Sequence, residues 1–94
     1  QFATVEYITR EQANQLMDEW RADGTKLGSN NAYYGRIKDT SVNGDTVTVL
    51  TSNYKFVFRV TGNINTEDWP GQYITVVGKA QSNGTIRATK VYIY

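Results

Sequence analysis

The side chains best suited to engaging another molecule are cations and tyrosines set two residues apart. Tyr34, Arg36 and Lys38 alternate along one run; Lys55 and Arg59, with Val57 between them, alternate along another. Alternate residues of an extended chain point to one side. Each run therefore turns these groups one way and Tyr33, Gly35, Ile37 or Phe56, Phe58, Val60 the other. Lys and Arg neutralise phosphates, and tyrosine rings stack on bases, at about 1–3 kcal/mol per stacked base. Tyr54, Arg87, Tyr92 and Tyr94 are candidates to extend such a surface. The same residues also suit an ordinary sheet, where outward Lys and Arg guard edges and tyrosine favours strands whatever the ligand.

Other chemistry is restricted. Histidine and cysteine are absent, which removes disulfides, thiolate catalysis and the usual zinc sites. Acid–base catalysis would need Asp, Glu, Lys, Tyr or Ser converging in a pocket. The compact acidic pair outside the first 31 residues, Glu67-Asp68, could hold a hard cation. Acids at a loop or helix start are more often caps and solvated charge. The expectation is a binding module, not an enzyme, with no cofactor and no metal.

Charge is uneven. Residues 1–31 carry three cations against five anions, and residues 32–94 carry seven against four, giving +1 overall. A basic region behind an acidic segment is compatible with an anionic partner. No stretch approaches the roughly 20 apolar residues of a membrane span, so the chain reads as soluble. A start at Gln1 rather than Met is compatible with a processed, exported (periplasmic or secreted) protein.

The elements that must position these groups fit one domain, residues 1–94, comprising an extended lead-in and helix over 1–31 and a β region over 32–94. Gln1–Ile8 reads as extended. Thr9 with Gln12 forms a capping box, Ile8 can staple onto Ala13, and Ala13, Leu16, Met17 and Trp20 make one apolar stripe. Asp23-Gly24 is the expected helix stop, and 27–31 a polar loop. Trp20 and Trp69 are expected in the core or at its ends; an exposed Trp20 would favour a helix that docks a partner. From Ala32 the period becomes two, with turns at Asn43-Gly44-Asp45 and Ser52-Asn53. Thr61–Gln72 breaks the rhythm, with one short helical turn expected over Thr66–Trp69.

The last 22 residues hold the clearest signal. Two β-rich runs flank Ser82-Asn83-Gly84, a strong hairpin sequence. In the second run the apolar phase shifts between Ala88 and Val91, which predicts a β-bulge. Three meandering strands, an irregular connection and a closing hairpin fit a five-stranded barrel. Residues 32–94 resemble an OB-fold domain. Gly71–Tyr94 is similar to the end of replication-protein-type single-stranded DNA-binding domains, in its Gly-x-x-Ile-x-Val-x-Gly-Lys and Asn-Gly-x-Ile-x-Ala patterns. Helix plus barrel also resembles small exported bacterial OB-fold proteins. The fold class expected is thus mainly β, an OB-like barrel preceded by an amphipathic helix. The matched patterns build the barrel; the ligand expected from the alternating cations and tyrosines is single-stranded DNA or RNA on the outward strand face, at Tyr34, Arg36, Lys38, Tyr54, Lys55, Arg59 and Arg87.

Asn43–Val47 with Phe58-Arg59-Val60 resembles the staphylococcal-nuclease barrel. The chain departs from that family after Arg59, where Thr61–Thr66 lacks the strand-end carboxylate and Glu67-Asp68 comes too late. No nuclease activity is expected. The alternative is an exported structural or protein-interaction domain, an assembly or envelope subunit whose residues 1–8 add as a strand to another copy or partner. Asn83-Gly84-Thr85 is also a nominal glycosylation triplet.

Overall fold

Thr9 opens the helix as its sequence predicts. Its hydroxyl accepts the Gln12 backbone N–H at 3.2 Å, and the Gln12 side chain accepts the Thr9 N–H at 3.0 Å. A cap of this kind is worth about 1 kcal/mol. The structure, a computed structural model, describes residues 3–21 and 28–94. Within them lie β1 (Glu6–Tyr7), α1 (Arg10–Trp20), β2 (Asn30–Arg36), β3 (Asp39–Asn43), β4 (Thr46–Leu50), β5 (Lys55–Arg59), β6 (Tyr73–Ala80) and β7 (Ile86–Ile93). The fold is mainly β. The helix ends at Trp20, because Arg21 is already extended and bridges Ala32. The expected stop at Asp23-Gly24, the start of the polar loop at Leu27, and Gln1 and Phe2 of the lead-in lie outside the described residues.

Seven strands form one sheet, in the order β2-β6-β7-β5-β4-β3 with β1 beside β7. Two features raise the count above five. The lead-in is itself a strand: Val5 N–H donates to Arg59 O at 2.7 Å and Ile8 N–H to Val91 O at 3.0 Å. It lies parallel to β7, with Glu6 opposite Lys90. The run beginning at Ala32 changes partners at Ile37-Lys38. Before this bend β2 pairs with β6, and after it β3 pairs with β4. At the bend Ile37 exchanges hydrogen bonds with Gly71 and Gln72, while Lys38 N–H donates to Leu50 O, each at 2.8 Å. Gly35 precedes the bend, where a Cβ would come within 3.0 Å of the Thr51 side chain.

The closing hairpin contains the predicted bulge. Pairing moves from Val77 opposite Lys90 to Gly78 opposite Ala88, leaving Thr89 over. Thr89 donates its hydroxyl to Val77 O at 3.2 Å. Gly78 is needed there, since a Cβ would collide with the Arg87 carbonyl and sit 2.9 Å from the Ala88 Cα. At the turn, Asn83 Oδ1 accepts from the Thr85 N–H at 3.1 Å and hydroxyl at 2.7 Å. In the irregular connection, Trp69 N–H donates to Thr66 O at 3.1 Å, closing the expected short turn.

The core gathers the inward-facing residues: Tyr33, Ile37, Val47, Val49, Phe56, Phe58, Val60, Ile74, Val76 and Val91 are all buried. Each fully buried aliphatic or aromatic side chain contributes about 1.5–3 kcal/mol. Trp69 packs on this core, stacked 6.4 Å from Phe58. Ala32 and Val77 are buried too, but their strand neighbours Tyr33 and Val76 point inward, so these two face outward. The helix packs on β2, β6 and β7 and covers that outer patch with Ala13, Leu16 and Met17. No helix among the described residues is long and apolar enough to cross a membrane.

Candidate functional site

The structure divides the expected surface in two. Tyr34 and Arg36 face outward on β2, opposite Thr75 and Tyr73 of β6. Lys55 and Arg59 are on β5, which β6 and β7 separate from β2. The two alternating runs are therefore not adjacent. The cause is non-local: β7 inserts its parallel pairing with β5 between them. Arg87 joins the β5 group, standing opposite Val57 and Lys79. Tyr54 belongs to neither; its half-buried ring meets Tyr33 edge-on at 5.0 Å and packs at the end of the core.

On the outer face of β2, β6 and β7, beside the helix, four tyrosines come together. Tyr34 and Tyr73 lie nearly parallel, 5.6 Å apart with 10° between planes. Tyr94 is 6.0 Å from Tyr73 and 4.9 Å from Tyr92, again stacked. The rings overlap as offset shingles, leaving Tyr34 44%, Tyr73 38% and Tyr94 47% exposed. Thr75, opposite both Tyr34 and Tyr92, is buried. Partial burial, then the neighbouring Tyr34, pushes the Tyr94 phenol pKa upward, while Thr75 opposes the shift. Tyr73 is not among the site residues expected from the sequence. Its signal is the hairpin register: with the one-residue bulge counted, Tyr73 falls opposite Tyr94, and the two exchange backbone hydrogen bonds of 2.7 and 2.9 Å.

The cations differ in their partners. Arg59 Nε lies 2.6 Å from Asp45 Oδ2, and this hydrogen bond holds the Asp45 carboxyl below its usual range. Lys90 pairs with Glu6 at 2.9 Å. Arg36 donates from Nε to Gly71 O at 3.3 Å. Among the described residues neither Arg36 nor Lys38 is paired with a carboxylate. Together with Ile37, Ser52 and Gly71 they line a cleft at the β2–β3 bend.

The remaining candidates are placed as follows. Trp69 is at the end of the core as expected, whereas Trp20, the last residue of the helix, is 42% exposed and not among the core residues. Residues 4–8 pair within their own chain. Glu67 and Asp68 are exposed in a turn whose backbone is bonded to Asn65 and Gln72. No cluster of three or more His, Cys, Asp or Glu able to hold a metal ion occurs among the described residues. Compared with known protein families, curated proteins and solved structures, the chain finds no match in any of the three.

Proposed function

We propose that this chain is a non-catalytic binding module built as an OB-like five-stranded barrel, and that it takes single-stranded DNA or RNA on its tyrosine–arginine face. Support for the barrel lies in the sheet order, whose two ends, β2 and β3, are consecutive halves of one bent run. Counting them as one strand leaves five, with β1 as an addition. Barrels of this type bind oligonucleotides on outward strand faces.

The observation that carries the ligand reading is the exposed Tyr34–Tyr73–Tyr94 shingle with Arg36 directly opposite Tyr73. Sequence-tolerant binding of single strands combines stacking rings with cations that follow the backbone. Fluorescence titration with a short single-stranded DNA at two salt concentrations tests it. Micromolar binding that weakens steeply with salt is expected, and Tyr73→Ala should cost about 1–3 kcal/mol of affinity, the value of one stacked base. No binding at low salt overturns the reading.

One observation favours a protein-interaction or assembly domain instead, namely the exposed Trp20. Strand donation by residues 1–8 would require undoing the pairing of β1 with β7. Sedimentation of the domain across concentration, with Trp20→Ala beside it, discriminates: self-association lost in the variant moves this reading to the front.

A further inference from the structure

We infer that the cleft formed by Arg36, Lys38, Ser52 and Gly71 is a phosphate subsite of the same face, holding a backbone phosphate of the strand whose base lies against Tyr73. The inference rests on the nucleic-acid reading of that face. Arg36 is the direct cross-strand partner of Tyr73. Side chains so paired have Cβ atoms about 4.5–5.5 Å apart, within the span of one nucleotide's base and phosphate.

The Nε bond to Gly71 O fixes the guanidinium against the cleft wall. Its terminal nitrogens have no acceptor among the described residues. Gly71 lets the backbone turn there, since its φ of +95° favours glycine. Lys38 reaches the same cleft because the bend lies between the two cations. Ser52 adds a hydroxyl from the β4–β5 turn. The cleft is about 370 Å³ and no carboxylate lines it, so a phosphate with some of its water fits and meets no like charge.

Energetics decide which phosphate. An exposed ion pair contributes little on its own, and a planar guanidinium adds bidentate geometry on a phosphate. Two such interactions hold a free phosphate ion only weakly. Joined to a base stacked on Tyr73, the same interactions fix the position of the strand. The occupant is therefore a phosphate carried by a nucleic-acid strand.

The test measures affinity for a short oligothymidylate over a series of salt concentrations, in the native chain, Lys38→Ala and Lys79→Ala, and follows backbone amide shifts with oligothymidylate and with inorganic phosphate. Removing one phosphate-binding cation should lower the slope of log K against log salt by about one. Lys38→Ala should show that drop, Lys79→Ala should keep the native slope, and oligothymidylate should shift the amides of residues 36–38, 52 and 71. Oligonucleotide binding with an unchanged slope in Lys38→Ala overturns the subsite and leaves the tyrosine face standing. Failure of the oligonucleotide to bind, with inorganic phosphate still shifting those amides, overturns the strand as occupant and the reading of the face with it.

Discussion

Tyr33 and Tyr34 are side by side on β2, yet Tyr33 is 1% exposed among Tyr54 and Phe56 while Tyr34 is 44% exposed among Tyr73 and Tyr94. Inside, the rings meet edge-on or tilted, at 5.0 and 6.2 Å, with Tyr33 shielded from water. Outside, they overlap nearly parallel and leave much of their surface in water. The same side chain thus meets two environments, decided by the side of the sheet it faces. Inward burial is converted into stability of the domain, whereas the outward rings keep much of their surface in water, the surface proposed to take a ligand.

The strongest way to break this contrast is truncation of each ring. Tyr33→Ala should cost about 3–5 kcal/mol, the range for large aromatic deletions in a core. Against a typical total of about 5–15 kcal/mol this removes much of the stability. Tyr34→Ala should cost about 1 kcal/mol or less and act on binding instead, since surface substitutions rarely move stability far. Urea unfolding followed by circular dichroism checks both, and equal losses would abolish the distinction between inner and outer clusters.

A smaller effect sharpens it. The Tyr33 hydroxyl is buried with no hydrogen-bond partner among the described residues. An unsatisfied buried group of this kind costs about 1–3 kcal/mol, so Tyr33→Phe should stabilise the domain by up to that amount. Burial, then the nearby Tyr54, pushes the Tyr33 phenol pKa upward. The folded state therefore holds this proton more tightly than the unfolded state. Stability should fall as pH rises from the ordinary tyrosine value through the raised one, and Tyr33→Phe should flatten that alkaline fall. A less stable phenylalanine variant would mean that the hydroxyl has a partner.

The smallest effect concerns the cations. Arg59 is tied to Asp45, while Arg36 has no carboxylate partner among the described residues. The Asp45 carboxyl is depressed by Arg59. Its contribution is present above its unfolded pKa and is lost as pH falls through the folded one. Asp45→Asn should therefore be slightly less stable than the native chain near neutrality, with the gap closing in acid. A gap in urea midpoint that persists at low pH would assign the effect to shape rather than charge.

Much of the fold was legible in the residues themselves. Thr9 and Gln12 announced the cap, Asn83-Gly84 the hairpin, and the phase shift from Ala88 to Val91 the bulge. The assignment of Tyr33, Ile37, Phe56 and Phe58 to one side and Tyr34 and Arg36 to the other also followed from alternation. What could not be read was which outward residues become neighbours. Tyr34 and Arg36 share their surface with Tyr73, Tyr92 and Tyr94 rather than with Lys55 and Arg59, and no local pattern encodes that.

The division has a physical cause. Caps, turns, bulges and strand faces depend on atoms within a few residues or on one hairpin register, so sequence by itself determined them. The order of strands, the parallel docking of β1 and β5 on β7, and the bend that changes partners at Ile37-Lys38 join residues far apart in the chain. Such pairings must overcome loop-closure entropy through collective packing of one core. Only the tertiary structure decided which cations found carboxylates and which tyrosines met.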